Sequence, residues 1–114
     1  MAFMLIFKLF RRDEWLQFKA MGKTKGAPVD IADGFIHFSK SNQLQETARK
    51  HFKDESDLIL VSCDADILKP DLKWEISRGG DLFPHLYRQL YLEDITSQIE
   101  IPKMDGMHKF PDTL

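Results

Sequence analysis

The chain has 114 residues with 43% hydrophobic and 30% charged side chains, a composition that excludes intrinsic disorder and fits a single domain over residues 1–114. A formal net charge of −2 excludes a global basic field, so bulk nucleic-acid binding is not expected. One cysteine excludes both an internal disulfide and a thiolate metal cage.

The apolar opening, Ala2 to Phe10, predicts a buried strand over residues 3–10. It contains Lys8, has no basic stretch ahead of it, and meets Arg11-Arg12-Asp13-Glu14 without a small-residue cleavage site. It also falls far short of the roughly 20 residues that cross a bilayer. A cytoplasmic protein without membrane partners is therefore expected. Asp13 and Glu14 then favour a helix start, Trp15, Phe18 and Met21 supply an apolar stripe, and Gly22 ends the helix. Residues 22–30, with two glycines, a proline, Lys23 and Lys25, predict a basic loop.

Gly34 to Ser39 predicts a short strand with Phe35, His37 and Ser39 on one face and Ile36 and Phe38 on the other. Ser39 or Ser41 is placed to cap a helix over 42–53, whose one face gathers Leu44, Thr47, Ala48, His51 and Phe52. Leu58–Cys63 predicts a central strand holding a buried thiol, and residues 64–70 a helical turn stopped by Pro70. Leu72–Ser77 alternates as a strand, residues 78–90 are assigned no element, Leu92–Ile95 predicts a helical turn and Ser97–Ile101 a strand. A glycine- and proline-containing tail follows over 105–114. Strands broken by two substantial helices predict an α+β domain, and neither G-x-G-x-x-G nor a P-loop occurs.

The chemically capable residues concentrate between Trp74 and Tyr87. Arg78 is a permanent planar cation, and Gly79 and Gly80 permit backbone N–H groups to face one anion. His85 offers acid, base or donor chemistry, and Tyr87 a stacking ring with a hydroxyl. Glu75, on the polar face of its strand, is either an exposed carboxylate or one with a raised pKa. His37 shares a face with Ser39 ahead of a predicted helix start, where unpaired N–H groups attract anions. His51 reads as packing and His108 as surface. The histidines are too dispersed for a metal motif, and a triad of Ser39, His37 or His85, and Asp81 lacks a nucleophile elbow.

In order along the chain stand Asp33-Gly34-Phe35-Ile36-His37-Phe38-Ser39, Gln43-Leu44, Glu46-Thr47-Ala48, His51-Phe52, Leu72-Lys73-Trp74-Glu75, Ser77-Arg78-Gly79-Gly80 and Phe83-Pro84-His85-Leu86-Tyr87. Together they resemble the signature of a small bacterial family, domain of unknown function 952. The resemblance covers nearly the whole chain. It implies an ADP-ribosyltransferase-like fold: two small antiparallel sheets forming a cleft, with two or three flanking helices. It also implies NAD or a nucleotide as a substrate rather than a resident cofactor. His37 would then contact the ribose, Tyr87 and His85 the nicotinamide, and Arg78 a phosphate, with Glu75 the nearest candidate for a catalytic glutamate. Ser39, Gly79 and Gly80 complete the expected ligand contacts. Two functions stay open: a transferase of ADP-ribosyl or phosphoribose chemistry, and a non-catalytic module binding a small anionic ligand or a partner peptide. No protein acceptor is assigned.

Overall fold

The two longest apolar runs of the chain meet as antiparallel neighbours. β1 (Leu5–Phe10) pairs with β4 (Leu58–Asp64), and β8 (Ile95–Ile101) pairs with the other edge of β4, so β4 is central as expected. The computed structural model describes residues 4–112 and 114, without the Arg78 side chain; Phe3, the first residue of the predicted strand, lies outside the described residues. Both faces of β1 and β4 are covered, which is why their sequences are apolar nearly throughout. On one face Ile6, Phe10, Ile59, Val61 and Cys63 pack with Trp15 and Phe18 of α1 (Arg12–Met21) and with Ile36, Phe38 and Leu86. On the other, Phe7, Leu9, Leu58 and Leu60 pack with Leu44 and Ala48 of α3 (Leu44–His51).

A second three-stranded antiparallel sheet has the order β3 (Ile36–His37), β6 (Leu82–Leu86), β5 (Leu72–Ile76). The two sheets are stitched at one point. Phe7 N–H donates to the Ser39 carbonyl at 2.9 Å and Ser39 N–H to the Phe7 carbonyl at 2.8 Å. Two ribbons complete the strands: β2 (Lys23–Thr24) with β7 (Leu90–Tyr91), and β9 (Lys103–Met104) with β10 (Met107–His108). With α2 (Pro28–Asp33) and α4 (Ala65–Leu68) the molecule is an α+β domain of several small antiparallel sheets. Among the described residues no helix is long and apolar enough to cross a membrane.

Several expectations are corrected. The predicted loop at 22–30 contains β2 and the start of α2. Proline opens α2, but Val29 and Ile31 are exposed, so no apolar stripe signals the helix. Neither Ser39 nor Ser41 caps α3. The helix starts at Leu44 after a 3-10 turn at Ser41–Gln43, and the Gln43 side-chain carbonyl accepts the Lys40 N–H at 2.9 Å. His51 is exposed rather than packed, and half-buried Phe52 takes the last place in the apolar stripe. Met21 is likewise exposed. His108, in what reads as a tail, is buried and donates from Nε2 to the Glu55 carbonyl at 2.7 Å.

The unassigned run 78–90 holds β6, the central strand of its sheet. Pro84 hides it, because a proline cannot donate to a ladder and is normally kept out of central strands. Here the Pro84 carbonyl accepts the Phe38 N–H at 3.0 Å, at the point where the neighbouring chain turns away to meet β1 through Ser39. The missing N–H falls where the ladder is already ending. Phe38→Ala, at a buried position of the core between the sheets, is expected to cost about 3–5 kcal/mol in chemical denaturation. Ile76→Ala, on the exposed end of β5, is expected to change stability by less than about 0.5 kcal/mol.

Candidate functional site

Strand register brings the two candidate histidines together. His37 of β3 stands directly opposite His85 of β6, and Lys73 of β5 stands opposite His85 on its other side. Strand alternation puts Glu75 and Tyr87 on that same face. The His37 and His85 ring centroids are 5.2 Å apart at 67°. Phe35 binds the group together, 4.2 Å from His85 in a stacked arrangement, 4.7 Å from His37 and 5.1 Å from Tyr87. The Lys73 ammonium lies 4.8 Å from the centre of the Tyr87 ring, a cation–π contact.

Each histidine has a carboxylate at Nδ1. The buried His85 donates from Nδ1 to Glu75 at 2.7 Å, and the Tyr87 hydroxyl donates to the same Glu75 oxygen at 2.6 Å. Those two bonds, the Tyr87 one first, hold the Glu75 carboxyl below its ordinary range, and the shared proton pushes the Tyr87 hydroxyl up. A raised Glu75 pKa, one of the two sequence-based alternatives, is thereby overturned: no burial outweighs the donors. His85 Nε2 is buried and has no hydrogen-bond partner among the described residues.

His37 is one-third exposed and bracketed by two carboxylates. Nδ1 meets Asp30 Oδ1 at 2.6 Å and Nε2 meets Asp33 Oδ2 at 3.1 Å. Asp30, with a fully buried side chain, also accepts the His37 backbone N–H at 3.0 Å and the Ala27 N–H at 2.7 Å. The Lys8 ammonium reaches Asp30 Oδ2 at 2.8 Å and the His37 carbonyl at 3.3 Å. Burial alone would push the Asp30 carboxyl up. The bond from His37 and the charge of Lys8 outweigh it and hold the pKa at about 2.

Of the residues singled out from sequence, His37, Glu75, His85 and Tyr87 share this face. Ser39 does not join them: it is buried, with its hydroxyl 3.2 Å from that of Thr47. Gly79 and Gly80 lie at the exposed tip of the β5–β6 hairpin with φ of 69° and 81°. The Gly80 N–H donates to the Ser77 carbonyl at 3.1 Å, so this glycine pair makes a turn and its second N–H does not face outward as an anion nest requires. The Arg78 side chain lies outside the described residues. Asp33, Phe35 and Lys73 stand in the quoted motifs without an assigned role, and Asp30 and Lys8 lie outside those motifs. The legible signal among them was Lys8, a cation inside an otherwise apolar strand. Among the described residues no three His, Cys, Asp or Glu side chains converge to hold a metal. Burial pushes the Cys63 thiol up to about 12, which leaves it unreactive.

The depressed Asp30 pKa sets a pH dependence. In the unfolded chain Asp30 protonates near 3.8, in the folded chain near 2, so its stabilisation is complete above the first value and is lost as pH falls toward the second. The amount at stake is about 2 kcal/mol. Stability measured by denaturation from pH 5 to pH 2 is expected to fall with this slope in the native sequence. It should fall less steeply in Asp30→Asn, and an unchanged slope would show that the ion pair does not form.

No curated protein matches the chain. Solved structures do. A crystal structure of protein CC0527 from Caulobacter crescentus is 46% identical, covers 92% of this chain and 93% of that one, and superposes with a TM-score of 0.88. A solution NMR structure of CC0527 is 45% identical over 91% of this chain and 90% of that one, with a TM-score of 0.81. The model of the family described as "Protein of unknown function (DUF952)" matches residues 9–98, and the chain belongs to that family.

Proposed function

We propose that the face carrying Phe35, His37, Lys73, Glu75, His85 and Tyr87 binds NAD or a related nucleotide through its ribose and acts as a transferase of ADP-ribosyl or phosphoribose type. The observation that carries the reading is the pair of carboxylate-anchored histidines, rings 5.2 Å apart, around one aromatic ring on an accessible sheet face. The ADP-ribosyltransferase-like fold belongs to the same proposal, supported by two small antiparallel sheets joined at Phe7 and Ser39 with this cluster on the second of them.

Cleaving the bond between ribose and nicotinamide builds positive charge on the sugar. A carboxylate kept ionised stabilises that charge without reorganising. Glu75 fits this role, because Tyr87 and His85 hold it in the charged form. Phe35 and Tyr87 offer ring faces for the nicotinamide, and His37 offers Nε2 to a ribose hydroxyl, at the position Asp33 contacts here. For the phosphates the face itself carries Lys73, which makes no ion pair among the described residues; Arg78, at the hairpin tip, is the second candidate.

One feature favours the alternative of a binding module without turnover. The same oxygen of Glu75 already serves both Tyr87 and His85, so these groups satisfy each other without substrate. Calorimetric titration with NAD, ADP-ribose and nucleotides, followed by assay of free nicotinamide, separates the two readings. Binding with nicotinamide release supports the transferase and binding alone the module, whereas absence of heat at millimolar ligand counts against the transferase and leaves of the module only its partner-peptide form. If turnover occurs, Glu75→Gln is expected to lower it about 10²–10³-fold and His37→Ala about 10²-fold, with folding retained. Full turnover in either variant would exclude the assigned role.

A further inference from the structure

We infer that Asp30, which no sequence motif marks, is the positioning residue of this face: it fixes the ring orientation and tautomer of His37, and Gly26 and Lys8 hold it in place. The functional consequence rests on the reading of His37 as a ligand contact, whereas the structural claim stands without it.

One oxygen of Asp30 accepts both the backbone N–H of His37 at 3.0 Å and its ring Nδ1–H at 2.6 Å. A ring tethered to its own backbone through a single atom has little freedom about either side-chain torsion. Because a carboxylate only accepts, Asp30 requires a proton on Nδ1, and Asp33 requires one on Nε2 for as long as it stays in contact. When the ring carries a single proton, the shorter bond to the buried Asp30 keeps it on Nδ1, and Nε2 is the atom left toward Asp33 and solvent. Asp33 is itself 46% exposed, so it is a weak, displaceable contact, unlike Asp30 with its fully buried side chain. The two carboxylates therefore have different tasks: the buried one orients and the exposed one is open to exchange for a ligand group.

The other oxygen of Asp30 is equally constrained, taking the Ala27 N–H at 2.7 Å and the Lys8 ammonium at 2.8 Å. Gly26 supplies the remaining condition. Its φ is +96°, and a Cβ there would lie 2.2 Å from Asp30 Oδ2, so no side chain fits beside the carboxylate. A turn glycine needed only for its φ would not require that clearance. Four donors, one of them a strand cation, and a glycine converge on one buried carboxylate whose outward-reaching partner is the His37 ring.

Long-range proton–nitrogen NMR of the histidine rings tests this with no ligand, at a pH where the rings are neutral. The native protein is expected to show His37 protonated at Nδ1, and Asp33→Asn the same. Asp30→Ala, which removes both acceptor oxygens, should move the tautomer toward the Nε2–H form that unconstrained imidazoles favour. Should the buried Lys8 left by that change prevent folding, the double variant Lys8→Met with Asp30→Ala removes both charges and gives the same readout. An unchanged His37 tautomer in a variant with a native-like amide spectrum overturns the inference. If ADP-ribose binds the native protein, its affinity is expected to fall about tenfold in Asp30→Ala. If it binds neither, the functional proposal fails while the tautomer measurement still decides the role of Asp30.

Discussion

The ion pair between Lys8 and Asp30 is the constraint on which the rest of the structure turns. Lys8 belongs to the face of β1 that packs between the two sheets, in line with Ile6 and Phe10, and its side chain is almost fully buried. An unpaired ammonium there would be very costly. Asp30 answers it from α2, and the same carboxylate takes the backbone of Ala27 and both the backbone and the ring of His37. Buried ion pairs seldom add much net stability, since desolvation consumes most of the attraction. What this pair contributes is placement: it fixes a helix of six residues and a strand of two against the first sheet. Elements this short have too little apolar surface to hold themselves.

That coupling explains why the two histidines, close in space and similar in their Nδ1 partners, differ in character. His37 is tied from behind by a buried carboxylate and reaches solvent through Nε2. His85 lies in the central strand of its sheet, buried under Phe35, with a half-exposed carboxylate at Nδ1 and a buried Nε2 that has no hydrogen-bond partner among the described residues. Paired titratable groups in contrasting environments are how one site divides tasks between chemically equal residues. The β5–β6 hairpin makes a similar division between its faces. Lys73, Glu75 and His85 occupy one, while Trp74, Ile76 and Leu82 run out from the core along the other.

Sequence patterning revealed the parts of this arrangement that depend on period and apolarity. β1 and β4 are legible because each buries a nearly continuous apolar run, and α1 because Trp15 and Phe18 return at helical spacing. His37, Glu75, His85 and Tyr87 are legible as an unusual density of reactive groups, although nothing in their spacing says that residue 37 pairs with residue 85. The rest is hidden for physical reasons. β6 is masked by Pro84, tolerated only because the neighbouring strand ends beside it. α2 exposes Val29 and Ile31 and buries an aspartate, the reverse of an amphipathic helix. Asp30 is invisible because its importance comes from four donors contributed by Lys8, Ala27 and His37, a convergence made by tertiary structure. His108 is hidden likewise, since its partner is a backbone carbonyl of Glu55.

The protonation states leave a narrow choice of chemistry. Proton transfer is efficient when the catalytic group titrates near the working pH. Glu75 is driven below its usual range and Tyr87 above its own by the bond they share, so both move away from neutrality. Neither is suited to exchange protons there: Glu75 remains a fixed negative charge and Tyr87 a fixed donor. In the proposed reaction such a pair would act through its field on developing charge, without moving a proton of its own. A hydrolase relying on a carboxylic acid to protonate a leaving group would need the opposite environment, a Glu75 desolvated and freed from its donors. A fixed negative charge beside an aromatic ring matches instead the demand of the proposed reaction, in which breaking a ribosyl bond to a nitrogen heterocycle develops a cationic centre.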